Sequence, residues 1–142
     1  MRSTQAYQEI FSSHLSSLGF EKEPIGLYKP ISYIIQLEGK RMRPVLSLMA
    51  CEAAGKDPIS ALAAATAVEL FHNFTLLHDD IMDEATLRRG QQTVHHKWDV
   101  NTGILSGDAL LVTAYQQLNT YDDFLFSKLT KLLSETALLV CQ

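Results

Sequence analysis

The stretch that decides the fold runs from Ile59 to Glu84 and reads ISALAAATAVELFHNFTLLHDDIMDE. It contains no glycine or proline, and its first half is rich in alanine, the residue with the highest helix propensity. Immediately upstream, Asp57 is suited to cap a helix N-terminus and Pro58 to occupy the first helical position. The sequence therefore predicts one long helix over residues 59–84.

The C-terminal end of this predicted helix carries three aspartates, Asp79, Asp80 and Asp83. Residues four apart on a helix share a face, so Asp79 and Asp83 lie one turn apart and Asp80 flanks them. Like charges at this spacing repel each other, and a cation is needed to offset them. Mg²⁺ suits such a site, with Mn²⁺ as an alternative, because it prefers carboxylate oxygens and often joins them to a diphosphate.

The same face continues towards the N-terminus through Thr75 and His72, while the other sides of the helix are Ala, Leu and Phe. A polar line beside an apolar wall is the arrangement required by a ligand with a charged head and an apolar tail. A solvated helix face is the alternative interpretation. A ligand site is favoured over a solvated face because the aspartates, His72 and the apolar run occur together.

Two clusters of cations accompany the aspartates. Residues 39–44 read GKRMRP, with three cations at the mouth of another predicted helix, and Arg88-Arg89 follow Asp83 within two turns. Arginine binds phosphate oxygens through a planar fork, and lysine acts as a point charge. Either cluster alone is typical of a solvated surface, but the two clusters together with the aspartates indicate two phosphorylated ligands.

The rest of the chain is also helical in pattern, with no convincing strand alternation, internal repeat or domain boundary. Glycine, proline and polar runs mark the ends of its segments. Further helices are predicted over 7–18, 31–37, 43–54 and 101–118 and after Asp122-Asp123, which cap the last one, with polar turns at 38–41 and 88–90. The sequence thus predicts an all-α fold, with residues 1–142 in one helical domain.

Composition narrows the functional classes. The 142 residues include 12 Lys+Arg and 16 Asp+Glu, a net charge of −4 that argues against a broad nucleic-acid-binding surface. Hydrophobic residues make up 46% and charged residues 20%, as in a soluble globular chain. No apolar run approaches the ~18 residues of a membrane span, and the N-terminus lacks a secretory signal. We therefore expect a cytoplasmic protein with no integral membrane segment, in which Cys51 and Cys141 are buried, reduced thiols.

The last residues, TALLVCQ at 136–142, continue an apolar helical pattern with neither a cap nor a polar tail. Native domains rarely end in this way, because the final helical carbonyls need partners. The sequence is therefore expected to be an incomplete, N-terminal portion of a larger helical domain.

Five motifs together resemble the trans-prenyl diphosphate synthases, the polyprenyl synthetase family. They are GKRMRP at 39–44, ELFHNFTLLHDDIMD at 69–83, LRRG at 87–90, TVH at 93–95 and GILSGDALL at 103–111. The resemblance covers nearly the whole chain beyond residue 35. It implies an antiparallel helix bundle of the isoprenoid synthase type, usually a homodimer. It also implies a prenyltransferase that joins isopentenyl diphosphate head-to-tail to an allylic diphosphate and releases pyrophosphate.

The resemblance further implies roles for individual residues. Binding of isopentenyl diphosphate is implied for Lys40, Arg43, His72 and Arg89. At the allylic diphosphate, Mg²⁺ binding is implied for Asp79 and Asp83, assistance for Asp80, and direct contact for Arg88. Positive charge at this point would stabilise the diphosphate as it leaves, and the apolar wall would keep water from the carbocation.

Two aromatic residues are candidates for setting product length. Phe74 lies five residues before Asp79, about 7.5 Å along the helix axis at about 1.5 Å per residue. In similar enzymes an aromatic residue here floors the pocket and favours a short product of about C15–C20. Phe71, one turn deeper, is a second candidate floor. The alternative is that both are ordinary core residues.

Two other interpretations stay open. Members of the family carry a second Asp-rich motif downstream, and residues 122–126 do not supply it, because Phe126 occupies the place of the third aspartate. The chain alone is therefore expected to be inactive, either as a catalytically incomplete fragment or as a noncatalytic subunit.

The second interpretation is an HD-type metal phosphohydrolase. His78-Asp79 would be its doublet, with His72 or His14 and Asp108 as outer ligands and a metal-bound water as nucleophile. It leaves Asp83 and both basic clusters unexplained.

Overall fold

The computed structural model describes residues 1–37 and 39–142, so Glu38, in the predicted turn at 38–41, lies outside the described residues. The described residues form seven α-helices and one short hairpin, and the predicted all-α helical bundle is confirmed. In chain order the elements are α1 (Thr4–Ser17), α2 (Ile25–Gln36), α3 (Met42–Ala53), α4 (Leu62–Met82), β1 (Leu87–Arg88), β2 (Gln91–Gln92), α5 (Val94–Lys97), α6 (Val100–Gln117) and α7 (Asp123–Val140). Two 3-10 turns, Pro58–Ala61 and Leu118–Thr120, lead into α4 and follow α6.

Helix α4 lies at the centre of the molecule and packs against both α3 and α6. Its alanines and leucines form part of one hydrophobic core with residues of α1, α2, α3 and α6. The fully buried side chains of that core include Tyr7, Phe11, Ile31, Leu48, Leu70, Leu77 and Leu110. Burial of such side chains stabilises a fold by about 1.5–3 kcal/mol each, which explains why the alanine-rich helix is held in place.

Two glycines let α6 approach the aspartate-bearing end of α4. A Cβ added at Gly103 would lie 2.9 Å from Cδ1 of Ile81, and one added at Gly107 would overlap the His78 ring. Real Cβ atoms do not approach neighbouring side chains this closely. The two glycines of the GILSGDALL motif therefore let α6 pack closely beside the site: a Cβ at Gly107 would displace the His78 ring, whereas at Gly103 the end of the Ile81 side chain would shift.

Both aspartates predicted as caps do cap, but Asp57 caps the 3-10 turn Pro58–Ala61, and α4 itself spans Leu62–Met82 instead of residues 59–84. Asp57 accepts a hydrogen bond from the Ile59 amide at 3.1 Å, and Asp122 accepts one from the Leu125 amide at 2.9 Å. Each satisfies an amide that has no partner inside its own helix. Residues 122–123 thus act as helix-starting residues in the structure.

Helix α2 is longer than predicted, since it begins at Ile25 instead of residue 31 and contains Pro30. Proline has no amide hydrogen and normally interrupts a helix interior. Here Pro30 is one of the buried residues of the helix, together with Ile31 and Ile34. Burial of an apolar ring is stabilising and opposes the cost of the missing hydrogen bond.

The segment at 88–90, predicted as a plain turn, belongs to a two-stranded antiparallel hairpin in which Arg88 pairs with Gln91. Its two central residues, Arg89 and Gly90, have φ angles of 53° and 78°. Two successive positive φ values match the type I′ turn that suits hairpins. The strands are two residues long, too short to show the alternation by which strands are recognised in a sequence.

Both cysteines are free thiols, but the expectation that they are buried is wrong for Cys141, which is exposed. Among the described residues, the continuous helical segment Pro58–Met82 is the one that is long and apolar enough to cross a membrane, with a hydropathy of 1.2. Core helices of soluble proteins meet the same criterion. This segment contains the buried, charged Glu69 and Asp80 and packs against other helices, as a core helix does. The expected absence of a membrane segment stays a prediction.

Candidate functional site

The aspartate pair sits where α4 ends. Asp79 is in the last turn, and Asp83 is the residue that ends the helix, with its amide donating to the Asp79 carbonyl at 2.8 Å. Both residues are exposed and one turn apart, as the spacing predicts. Within residues 1–37 and 39–142, neither carboxylate has an ion-pair partner. Two unneutralised carboxylates on one face suit a hard divalent cation that takes its other ligands from water and a diphosphate.

Asp80 faces a different way. It is only 2% exposed, and its two oxygens accept hydrogen bonds from Nε and Nη2 of Arg88 at 2.8 and 2.9 Å. This bidentate pair joins α4 to the hairpin and fixes the orientation of the guanidinium. Across the described part of the chain, no three His, Cys, Asp or Glu residues are grouped so that they could hold a metal ion. The geometry thus favours Asp80 as the partner of Arg88, while its predicted assistance in metal binding stays a prediction.

A basic cavity of about 420 Å³ lies between the start of α3 and the middle of α4. It brings together the four residues implied to bind isopentenyl diphosphate, which are Lys40, Arg43, His72 and Arg89. Nη1 of Arg89 donates to the Leu37 carbonyl at 3.3 Å, and its guanidinium packs so closely over Gly39 that a Cβ there would overlap it. The glycine of the GKRMRP motif therefore makes room for an arginine from the hairpin.

His72 and Arg43 contact each other across this cavity. Nη1 of Arg43 lies 3.2 Å from Nε2 of His72, and because arginine only donates, Nε2 must be the acceptor. Burial, and then the neighbouring Arg43, lower the pKa of His72 below its ordinary value of 6.5. The imidazole is therefore neutral at neutral pH and carries its proton on Nδ1.

This lowered pKa predicts a pH dependence of stability. Below an ordinary pKa of 6.5 the unfolded chain binds a proton at His72 that the folded protein resists, so stability falls as pH decreases from 7.5 to 5.5. His14, whose pKa is also lowered by burial, adds to the slope. We expect His72→Gln to make the unfolding free energy measurably less dependent on pH. The matched control, His96→Gln at an exposed position, should leave the slope unchanged, and an equal slope in both variants would contradict the assignment.

An apolar slot of about 700 Å³ lies between α4 and α7. Phe71 and Phe74 line it, with their ring centroids 5.5 Å apart, and Asp79 lies on its border. Helix α7 contributes Leu133, Ala137 and other small or apolar side chains to the opposite wall. The polar line beside an apolar wall, predicted from the sequence, is thus present in the structure.

The slot and the basic cavity meet, because Arg43 and His72 line both of them. A ligand headgroup in the basic cavity would therefore lie beside the mouth of the slot that Asp79 borders. Two anionic groups and one apolar chain fit this arrangement, which is the combination that the sequence patterns indicate.

The three cations predicted at the mouth of α3 lie there and line the basic cavity, but Arg41 is also engaged within the protein. The guanidinium of Arg41 points into the protein and pairs with Glu69, whose side chain is 5% exposed. Glu69 was not predicted as part of the site. The sequence did offer a signal for this pair, because Glu69 lies on the apolar stretch of a predicted helix. Buried carboxylates are almost always paired with a cation.

His78 does not contact the aspartates that follow it. Its Nε2 lies 3.3 Å from the Ile104 carbonyl and 3.7 Å from Asp108, while its ring packs edge-on against Phe74 at 4.7 Å. These contacts connect α4 to α6. His78 therefore forms part of the wall of the slot instead of the metal-binding face.

Known proteins resemble this chain along most of its length. The polyprenyl synthetase profile matches residues 25–142. The geranylgeranyl pyrophosphate synthase of Geoglobus acetivorans is 44% identical over 114 residues, which cover 80% of this chain and 36% of that protein. The geranylgeranyl diphosphate synthase of Methanosarcina mazei is 41% identical over 137 residues, which cover 92% of this chain and 42% of that protein.

The fold also matches that of a solved structure. A crystal structure of a geranylgeranyl pyrophosphate synthase superposes with a TM-score of 0.97 and 54% sequence identity, over 99% of this chain and 43% of that one. The chain thus spans less than half the length of each of these relatives. Members of this family generally use divalent metal ions. Because the profile covers most of the chain, and the arrangement of helices, aspartates and basic cavity agrees with it, the chain belongs to the polyprenyl synthetase family.

Proposed function

We propose that the protein containing this chain is a prenyltransferase that condenses isopentenyl diphosphate with an allylic prenyl diphosphate and releases pyrophosphate. The observation that supports this best is the junction of the two cavities at Arg43 and His72. It places a basic anion site directly beside an apolar slot bordered by a carboxylate. Hydrolysis of a generic phosphoester needs no such slot, and the family match also argues against the HD-type phosphohydrolase.

In this proposal the basic cavity holds isopentenyl diphosphate. The charge of the diphosphate is neutralised by Lys40, Arg43 and Arg89. Neutral His72 donates a hydrogen bond to it from Nδ1. Arginine and lysine suit this task because diphosphate oxygens accept charge-assisted hydrogen bonds. The alkene of this substrate is thereby held at the mouth of the slot.

The allylic substrate occupies the slot, with its diphosphate at the end of α4. Asp79 and Asp83 would hold Mg²⁺, or Mn²⁺ in its place, and Arg88, oriented by Asp80, would contact the diphosphate. When bound, the metal supplies a positive charge that stabilises the departing diphosphate. The slot walls exclude water, which would otherwise capture the carbocation.

An assay tests this function. The protein expressed from its complete gene is incubated with isopentenyl diphosphate, allylic primers of several lengths and Mg²⁺, and the products are sized by chromatography. We expect prenyl diphosphates of about C15–C20 and release of one pyrophosphate per condensation. Absence of any elongated product with every primer would refute the proposal.

The 142-residue chain by itself should not turn over these substrates, because it contains one Asp-rich motif where family members use two. Its residues form part of a single helical domain in this proposal, and the complete protein is a cytoplasmic homodimer. In this proposal the 142-residue chain is therefore catalytically incomplete, whereas the protein to which it belongs is the enzyme.

Product length provides a further prediction. Phe74→Ala removes a ring from the slot, so that a longer prenyl chain can extend past it towards Phe71. We expect products longer by at least one isoprene unit in chromatography of reactions with the full-length protein. Phe124→Ala, which removes an aromatic ring that is 70% exposed on α7 and does not line the slot, should leave product length unchanged. An unaltered product from Phe74→Ala would show that this ring is not the floor.

A further inference from the structure

Arg41 is largely buried although it belongs to a cationic motif. Its side chain is 13% exposed, and its guanidinium has three acceptors from two helices and one turn. Nη1 donates to the Glu69 carboxylate, and Nη2 donates to the Ile35 carbonyl and, at 3.3 Å, to the Leu37 carbonyl. The two carbonyls come from the end of α2, where no intrahelical amide is available for them. Arg41 therefore connects the end of α2 to the middle of α4.

The backbone of Arg41 is in a conformation that directs its side chain inwards. Its φ and ψ angles are 48° and 36°, in the left-handed region, at the position that precedes α3. For a residue with a Cβ this costs about 1–2 kcal/mol, so surrounding contacts must hold it there. At this reversal the guanidinium of Arg41 reaches Glu69 and the end of α2, and Arg41 lines the basic cavity together with Lys40 and Arg43.

Glu69, the partner of Arg41, lies on α4 one turn before His72. The side-chain amide of Asn73 donates to the Glu69 carbonyl at 2.8 Å and to its carboxylate at 3.3 Å. Asn73 is 2% exposed and directly follows His72 in the sequence. The carboxylate is thus held from both sides, on the segment that carries His72.

These contacts relate the two walls of the basic cavity to each other. Lys40 and Arg43 belong to the wall formed by the turn and α3, while His72 belongs to the wall formed by α4. The Arg41–Glu69 ion pair, which is largely buried, joins the two walls, as does the contact of Arg43 with His72. A guanidinium reaches three coplanar acceptors at once, whereas a lysine ammonium is a compact point charge on a flexible stem.

We propose that Arg41, through its buried contacts with Glu69 and with the carbonyl groups at the end of α2, is a positioning residue that sets the spacing of Lys40 and Arg43 from His72 for a diphosphate ligand. This inference rests on the proposed function, since it takes isopentenyl diphosphate to be the ligand of the basic cavity. Arg41 also lines the basic cavity. Because its guanidinium donates to Glu69 and to the two carbonyls, we assign it the role of holding the walls together, not that of binding the ligand.

The test uses Arg41→Lys in the full-length protein, which keeps the charge and removes the fork. Misplacement of a binding group by about 1 Å can reduce a rate as much as about a hundredfold. We expect KM for isopentenyl diphosphate to rise about tenfold. KM for the allylic substrate should change less than twofold in Arg41→Lys. Glu69→Gln should also raise KM for isopentenyl diphosphate. The double variant should be less affected than the product of the two single effects, as expected for residues in contact.

A second paired arginine, near the N-terminus, provides a control. Arg2 pairs with Glu52 at 2.5 Å and is 41% exposed, away from the basic cavity. Arg2→Lys should leave both KM values unchanged. A lower melting temperature of Arg41→Lys with an unchanged KM for isopentenyl diphosphate would show a purely structural role and overturn the inference.

A binding measurement separates this inference from the proposed function. If the wild-type protein does not turn over isopentenyl diphosphate, the proposed function fails, and calorimetry with inorganic pyrophosphate then decides the role of Arg41. Weaker pyrophosphate binding by Arg41→Lys and by Glu69→Gln, at unchanged circular dichroism, supports the positioning role. Equal affinity in wild type and variants overturns it. If Arg41→Lys does not fold, the same comparison is made with Glu69→Gln alone.

Discussion

Asp79→Asn is expected to lower kcat of the full-length protein about a thousandfold, the upper range for removal of one group that stabilises transition-state charge. The reason is the loss of one of two carboxylates that would hold the divalent cation at the allylic diphosphate. Its apparent Mg²⁺ requirement should rise, while KM for isopentenyl diphosphate should stay within twofold. Steady-state kinetics over a range of Mg²⁺ concentrations measures all three quantities.

Stability should respond to Asp79→Asn in the opposite direction. Asp79 is exposed and stands one turn from Asp83, so the substitution relieves a repulsion of a few tenths of a kcal/mol, about 0.2–0.5, and melting temperature should stay equal or rise slightly. Glu84→Gln, at the exposed neighbour of Asp83, serves as the control and should keep normal activity. A variant Asp79→Asn with more than a tenth of wild-type kcat would contradict the metal-binding role.

Asp80→Asn should instead reduce both stability and substrate binding. The substitution leaves Arg88 without its bidentate partner, at a position where Asp80 is 2% exposed. Breaking a fully buried pair costs about 3–5 kcal/mol, but Arg88 keeps 24% exposure, so we expect about 2 kcal/mol. KM for the allylic substrate should rise as well, because the guanidinium is no longer oriented.

Chemical denaturation and steady-state kinetics measure these two effects of Asp80→Asn. Asp99→Asn is a suitable control, because Asp99 caps α6 through the Thr102 amide at 2.8 Å and asparagine caps helices equally well. Unchanged stability together with an unchanged allylic KM in Asp80→Asn would mean that the pair with Arg88 has no role in the site.

Contacts between distant segments could not be predicted from the sequence. Asp79, Asp80 and Asp83 look equivalent in DDIMD, yet Asp79 and Asp83 are exposed while Asp80 is buried against Arg88. Helical spacing gives the relative direction of the three side chains, but not which direction faces the hairpin. Likewise, Arg41 looks like its neighbours in GKRMRP, yet its left-handed backbone and its ion pair with Glu69 set it apart from them.

Local patterns determined most of the architecture. Alanine content and the absence of glycine and proline determined the long helix. Asp57 and Asp122 determined where the turn before α4 and helix α7 begin, and the motifs determined the family. Tertiary structure alone decided three things: the burial of Arg41 against Glu69, the pairing of Asp80 with Arg88, and the meeting of two cavities at Arg43 and His72. Helix formation depends on neighbours within one turn, and so it can be inferred from a linear pattern. The partner of a charged side chain lies on another segment, 8 residues away for Asp80 and Arg88 and 28 residues away for Arg41 and Glu69, and only packing brings the two segments into contact.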